Sequence, residues 1–229
     1  LKKNDQTELG LGINLKRSQN ISQRNAPLVS SISTPFRIHY DTRIDKLDPQ
    51  SGLFSELVLT PFRQLDQRTN GFGLKYDMRK YHALNDRITV AGRLQLGQSF
   101  LDNTNAIIDP EFLYFSGGSN TVRGQPYQSL GSDIRGTDLS GAQGMAIVSA
   151  EIRFKVANSL TGVFFADYGY LTPFGWTKPR NGAQDHAGVG IGARYHTALG
   201  PIRFDLAHSP QTDFSIKSLA LYFGLGQTF

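Results

Sequence analysis

Residues 221–229, Leu-Tyr-Phe-Gly-Leu-Gly-Gln-Thr-Phe, alternate strictly. Leu221, Phe223, Leu225 and Phe229 share one face of a strand, and Tyr222, Gly224, Gly226 and Thr228 share the other. A soluble sheet with so bare an apolar face on a terminal strand is an aggregation hazard. A closed barrel in a membrane needs such a strand, with apolar side chains to lipid, small or polar ones to the lumen, and aromatic rings at the interface. The pattern therefore predicts outward Leu221, Phe223 and Leu225, with Phe229 as an interfacial aromatic.

The same period of two recurs along the chain between turn-forming residues. Residues 8–16 set Leu9, Leu11, Ile13 and Leu15 against Glu8, Asn14 and Lys16. Residues 32–44 set Phe36, Ile38 and Tyr40 against Arg37, His39, Asp41 and Arg43. Residues 48–52, Asp-Pro-Gln-Ser-Gly, form a turn, and residues 53–62 alternate poorly. Phe72, Leu74, Tyr76 and Met78 then oppose Lys75, Asp77 and Arg79, and Val90, Leu94 and Leu96 oppose Thr89, Arg93 and Gln95. After an irregular stretch, Val148, Ile152 and Phe154 oppose Ser149, Glu151 and Arg153. Residues 160–171 carry aromatics on both faces; Val189, Ile191 and Tyr195 oppose Gly190, Gly192 and Arg194; Ile202, Phe204 and Leu206 oppose Arg203 and Asp205.

This makes about ten antiparallel strands, each long enough for the ~9–11 residues that a tilted membrane strand needs. A soluble β-sandwich also alternates. Here charges recur on the polar face of strand after strand, as in a wet lumen. Aromatics such as Tyr40, Phe72 and Tyr195 stand near strand ends, as in an interfacial girdle. The fold class read from the pattern is an all-β, antiparallel transmembrane barrel.

Composition excludes several other classes. The chain has 229 residues, no cysteine and 39 % hydrophobic residues. No apolar run approaches the roughly 18 residues of a membrane helix. The net charge of +5 is dispersed rather than clustered, which argues against nucleic-acid binding. None of the five histidines has a metal-ligand spacing. No Gly-x-Ser-x-Gly elbow supports a hydrolase. The expectation is a protein without catalytic residues, metal or cofactor. The chain opens in mid-pattern at Leu9, as expected of the C-terminal part of a larger exported precursor.

Residues 101–144 form a long connection, and structureless loops beyond ~12–15 residues are usually functional or disordered. Within it stands Phe115-Ser-Gly-Gly-Ser-Asn-Thr-Val-Arg-Gly124. Gly117 and Gly118 permit a tight bend at positive φ. An arginine held inside a barrel needs a carboxylate partner, because an unpaired buried charge is costly. Alternation points Asp167, Glu151 and Asp205 inward, so all three are candidate partners of Arg123.

This block resembles the sixth-loop motif of the outer-membrane assembly and translocation barrel superfamily (BamA/TamA type), nearest its TamA-like branch. Phe165-Ala-Asp-Tyr-Gly169 resembles the family's Phe-x-Asp-x-Gly motif. Gly200-Pro-Ile-Arg-Phe-Asp-Leu-Ala207 resembles the penultimate strand, and residues 221–229 resemble the last strand with its C-terminal sorting signal. The four blocks come in family order. The resemblance implies that the loop enters the lumen and that Arg123 and Gly124 lock onto Asp167 and Gly169 of the wall, with Glu151 and Asp205 as rival acids. Where the family has an aromatic after Arg-Gly this chain has Gln125, and Tyr127 is the candidate substitute.

The resemblance also implies that residues 1–229 are the C-terminal portion of a sixteen-stranded barrel in the bacterial outer membrane, with POTRA domains upstream. The implied function is insertion or export of client proteins through a barrel with a weak lateral seam, softened by Gly224 and Gly226. The implied partners are outer-membrane lipid, client outer-membrane or secreted proteins, and a periplasm-spanning inner-membrane protein. The alternatives are a two-partner-secretion or self-exporting passenger barrel, and a passive porin.

Overall fold

The computed structural model describes residues 2–4, 6–19, 28–103, 108–131, 141–176, 182–213, 215 and 218–229. Among them run β1 (Lys2–Asn4), β2 (Thr7–Leu11), β3 (Asn14–Gln19), β4 (Leu28–Ser33), β5 (Phe36–Asp41), β6 (Gly52–Gln64), β7 (Thr69–Asn85) and β8 (Ile88–Leu101). They are followed by β9 (Gly144–Ala157), β10 (Leu160–Thr172), β11 (Gln184–Thr197), β12 (Gly200–His208) and β13 (Leu219–Leu225). The one helical element among the described residues is a 3-10 turn at Pro110–Phe112.

Every pairing is antiparallel, and the main path of the sheet runs β1-β2-β5-β6-β7-β8-β9-β10-β11-β12-β13. β3 and β4 pair with each other, and β4 also pairs with the end of β6. β2 and β3 form one ribbon interrupted near Gly12, while β4 and β5 form the next, interrupted at Thr34 and Pro35. Pro35 brings no N–H to the ladder, but its carbonyl still accepts from Gly12 N–H at 3.0 Å. Counting each interrupted ribbon once and leaving aside the short β1, about ten spans remain, the number read from the alternation. The sheet is not closed: among the described residues no strand pairs with the outer edge of β13.

Register decides which face each side chain takes, since a one-residue slip would invert a strand. Val90 opposes Ile152, Ile152 opposes Phe164, Phe164 opposes Ile191, Ile191 opposes Leu206, and Leu206 opposes Leu221. All of these are exposed, as are Tyr195, Phe204 and Phe223. Leu9 and Phe72 lie on the same outer face beside Ile38 and Phe100. Together they form the lipid-facing band.

β6 alternates poorly because both of its faces are apolar for different reasons. Leu57 and Leu59 face outward beside Tyr76 and Leu74. Phe54 and Phe62 face inward and are buried. Phe62 stacks on Phe112 of the long connection, with ring centroids 3.6 Å apart. Phe54 lies under the guanidinium groups of Arg43 and Arg79, at 4.7 and 4.5 Å. The inner face is thus packed against lumen contents rather than left to water.

The last strand departs from expectation. β13 ends at Leu225, and its seven residues fall short of a full crossing. Gly226 has φ of +80° and turns the chain out of the strand. Phe229 is consequently no interfacial aromatic on the face of Leu221, Phe223 and Leu225. It is 4 % exposed and packs inside on Tyr81 and Ala91. Its carbonyl accepts from Arg153 Nη2 at 3.3 Å. The kinked segment is further held where Gln227 N–H donates to the Leu47 carbonyl at 3.0 Å and Gln227 Nε2 to Asp48 Oδ1 at 2.8 Å. Gly226 therefore makes a turn rather than softening a strand, and valine there would not tighten pairing. A β-branched side chain in the left-handed region costs roughly 1–2 kcal/mol. Because the chain has no cysteine, a Phe229→Cys thiol is a unique reporter. It is expected to react slowly with a soluble maleimide, and Gly226→Val is expected to speed that reaction at least several-fold.

Candidate functional site

The lumen wall contains a trough made by glycines. A Cβ on Gly169 of β10 would lie 2.8 Å from Val122 Cγ2, and one on Gly188 of β11 would collide with the Arg123 carbonyl oxygen. Only backbone lets the loop approach so closely. Gly190, another lumen glycine, makes room instead for the Phe165 ring. Into this trough comes the tip of the connection between β8 and β9. Gly117 and Gly118 take φ of +110° and +99°, and the turn closes where Gly118 N–H donates to the Val122 carbonyl at 3.1 Å. Gly124 has φ of +86°, and a Cβ there would lie 2.7 Å from the carbonyl carbon of His208. Glycine is thus required twice over at this position.

Arg123 is 1 % exposed. Its Nε donates to Asp167 Oδ2 at 2.7 Å and its Nη2 to Asp167 Oδ1 at 2.9 Å, a bidentate pair. Its own backbone N–H donates to the same carboxylate at 3.1 Å. Nη1 donates to Glu151 Oε1 at 2.6 Å and stands 3.7 Å from Asp205 Oδ2. The guanidinium lies 3.5 Å over the Phe165 ring. The three inward acids are therefore not exclusive alternatives: Asp167 takes the fork, Glu151 takes the remaining nitrogen, and Asp205 lies just beyond.

Burying so many charges is tolerable only because each is shared. Arg153 donates to Glu151 Oε2 through Nε and Nη2, at 2.9 and 2.8 Å. Arg194 Nη1 donates to Asp205 Oδ1 at 2.5 Å, and Arg203 Nε lies 3.6 Å from Asp205 Oδ2. Burial alone would lower the pKa of Arg123. The fork on Asp167 and the charge of Glu151 outweigh it, so the pKa is raised and the side chain stays charged. Desolvation costs several kcal/mol per ion; the shared bonds offset most of it, while the buried Arg194 Nη2 and Arg203 Nε find no hydrogen-bond partner among the described residues.

Other described residues of the connection reach along the wall; residues 104–107 and 132–140 lie outside the described residues. Asp109, fully buried, accepts from Ser18 and Ser31 of β3 and β4 at 3.0 and 3.2 Å. Tyr114 donates to the Leu74 carbonyl of β7 at 2.8 Å, and the Asn120 carbonyl accepts from Arg93 Nη1 of β8 at 2.9 Å. Ser116 Oγ lies 3.3 Å from His186 Nε2 of β11. Gln125 Nε2 donates to Ser209 Oγ at 2.6 Å. Tyr127 is 79 % exposed and does not stand in for the missing aromatic at Gln125. The aromatic at the loop tip comes instead from β13: Gly124 N–H donates to the Tyr222 hydroxyl at 3.0 Å. Sequence reasoning put Tyr222 on the lumen face without connecting it to the loop. It likewise missed Arg153, Arg194 and Gly188 as parts of the site, although alternation had already turned Arg153 and Arg194 inward.

An antiparallel sheet with a lipid-facing outer band and an arginine-locked loop packed along its inner wall defines an outer-membrane β-barrel. The sequence profile of the Omp85 superfamily domain matches residues 3–229, and the chain belongs to that superfamily. A stretch of 108 residues is 31 % identical to "Outer envelope protein 80, chloroplastic" of Arabidopsis thaliana, covering 44 % of this chain and 14 % of that protein. The crystal structure of BamA from Haemophilus ducreyi lacking POTRA domains 1–3 shares the fold, with a TM-score of 0.69 at 14 % identity over 96 % of this chain. This chain corresponds to 50 % of that BamA chain, so it spans about half of its structural relative and far less of the plant protein.

Proposed function

We propose that the chain is the C-terminal part of an outer-membrane assembly or translocation factor, which inserts or exports client proteins through a barrel that opens laterally beside β13. The parent barrel would have sixteen strands preceded by POTRA domains. The loop block at residues 116–124 and the strand block at 200–205 favour the TamA-like branch, with client proteins, membrane lipid and a periplasm-spanning inner-membrane protein as partners. The observation that carries the reading is the occupied lumen of an Omp85-superfamily fold. Arg123 is bonded to Asp167 and Glu151, and the connection touches strands from β3 to β13. A passive porin needs an open conduit through a fixed lumen; the loop and its ion pairs lying along the inner wall favour the assembly reading over it. β13 supports the seam, since its seven residues pair with β12 and end at a glycine kink.

The test is a disulfide between the first and last strands of the full-length protein in lipid vesicles. Locking the seam is expected to abolish client insertion, and reductant is expected to restore it. Equal insertion by locked and unlocked protein would overturn the lateral-opening reading.

A further inference from the structure

β13 lies at an edge of the sheet, and its lumen face meets the long connection at one point within the strand and one beyond it. Within the strand, the Tyr222 hydroxyl accepts from Gly124 N–H at 3.0 Å and donates to the Gln125 carbonyl at 3.3 Å. Beyond the kink, the Thr228 hydroxyl accepts from Arg123 Nη1 at 3.3 Å and donates to Asp205 Oδ2 at 3.4 Å. We infer that Tyr222 and Thr228 are positioning residues that tie the edge strand to the lumen loop, so that loop release and β13 release are one event.

The tie reads register as well as proximity. Both hydroxyls use donor and acceptor at once, and three of the four partners belong to the loop. A two-residue slip moves a strand by roughly 6.8 Å and would bring Ala220 or Gly224 to the loop tip. Neither carries a side-chain hydrogen-bonding group. A one-residue slip would turn Leu221 or Phe223 inward. The kink at Gly226 serves the same end by turning the chain inward, which brings Thr228 onto Arg123 and Asp205. β13 is thus held by its ladder to β12 on one edge and by the loop from within.

Any effect of the tie on client insertion rests on the proposed function; the tie itself does not. The experiment is hydrogen–deuterium exchange at Leu219–Leu225 in the full-length protein in lipid vesicles. Arg123→Lys, which keeps the charge and loses the fork, is expected to speed exchange in β13 and in the loop together, roughly tenfold, as the loss of one or two hydrogen bonds does. The isosteric pair Tyr222→Phe and Thr228→Val is expected to speed exchange in β13 to the same degree while the loop stays protected. Adding Arg123→Lys to that pair is expected to leave β13 unchanged. Unchanged β13 exchange in the Tyr222→Phe, Thr228→Val protein, or effects that simply add, would overturn the inference. Client insertion is followed separately. If it stays unchanged while β13 exchange rises as described, the tie stands and the lateral-opening reading fails.

Discussion

Arg123→Ala is expected to free the lumen loop and lower the unfolding free energy of the barrel by about 3–5 kcal/mol, the usual cost of removing one member of a buried ion pair. The fork to Asp167 and the bond to Glu151 vanish together, leaving buried carboxylates on β9 and β10 with less than their full compensation. Arg153 still serves Glu151, but among the described residues Asp167 keeps only the N–H of residue 123. Arg123→Lys should recover part of the loss, because it keeps a charge beside the acids and gives up the fork. A lysine is a point charge that cannot serve two carboxylates through a planar fork or stack on Phe165 in the same way. The measurement is equilibrium unfolding in urea with the protein in lipid vesicles. A loss within 1 kcal/mol for alanine would return Arg123 to the standing of a solvated loop residue, whose ion pairs are worth only ~0–1 kcal/mol.

Gly188→Val is expected to produce nearly the same loss from the opposite side. No charge is altered, yet the added Cβ meets the Arg123 carbonyl oxygen. Backbone cannot give way as a flexible side chain can, so the loop must lift and the ion pairs part. Valine otherwise suits a strand better than glycine by up to ~1 kcal/mol, so propensity alone predicts the opposite sign. Gly73→Ala is the control. It also faces the lumen, but its Cβ would find nothing nearer than 3.8 Å, and a change within about 1 kcal/mol is expected. If Gly188→Val and Arg123→Ala act through the same displaced loop, the double variant should be little worse than either alone. Full additivity would show that the trough and the lock are separate features.

The membrane-facing half of the fold was legible from alternation, because a period of two determines a strand's faces once one residue is placed. Ile152, Phe164, Phe204 and Phe223 are outward for that reason, and Glu151, Asp167 and Asp205 inward. Three things escaped it. β6 hid behind Phe54 and Phe62, whose partners are an arginine pair and the distant Phe112; alternation says nothing about what fills a lumen. Phe229 was misplaced because a period of two continues only while φ stays extended, and Gly226 breaks it. The sharing of Arg123 among several acids, and its link to Tyr222 and Thr228, join residues up to 105 positions apart, which spacing along the chain does not encode.

The lock depends on one placement, that of Val122 and Arg123 against the inner face of β10 and β11. The absence of cysteine makes it directly measurable. A Cβ on Gly169 would lie 2.8 Å from Val122 Cγ2; with one bond of about 1.5 Å between Cγ2 and Cβ, the two Cβ atoms are at most about 4.3 Å apart, compatible with the ~3.5–4.5 Å span of a disulfide. In the Val122→Cys, Gly169→Cys protein, mild oxidation in intact membranes is expected to form the bond in most molecules, seen as a reductant-sensitive shift in gel mobility. Free thiols at both positions after oxidation, in protein that remains folded and inserted, would place the loop outside the lumen and contradict the account.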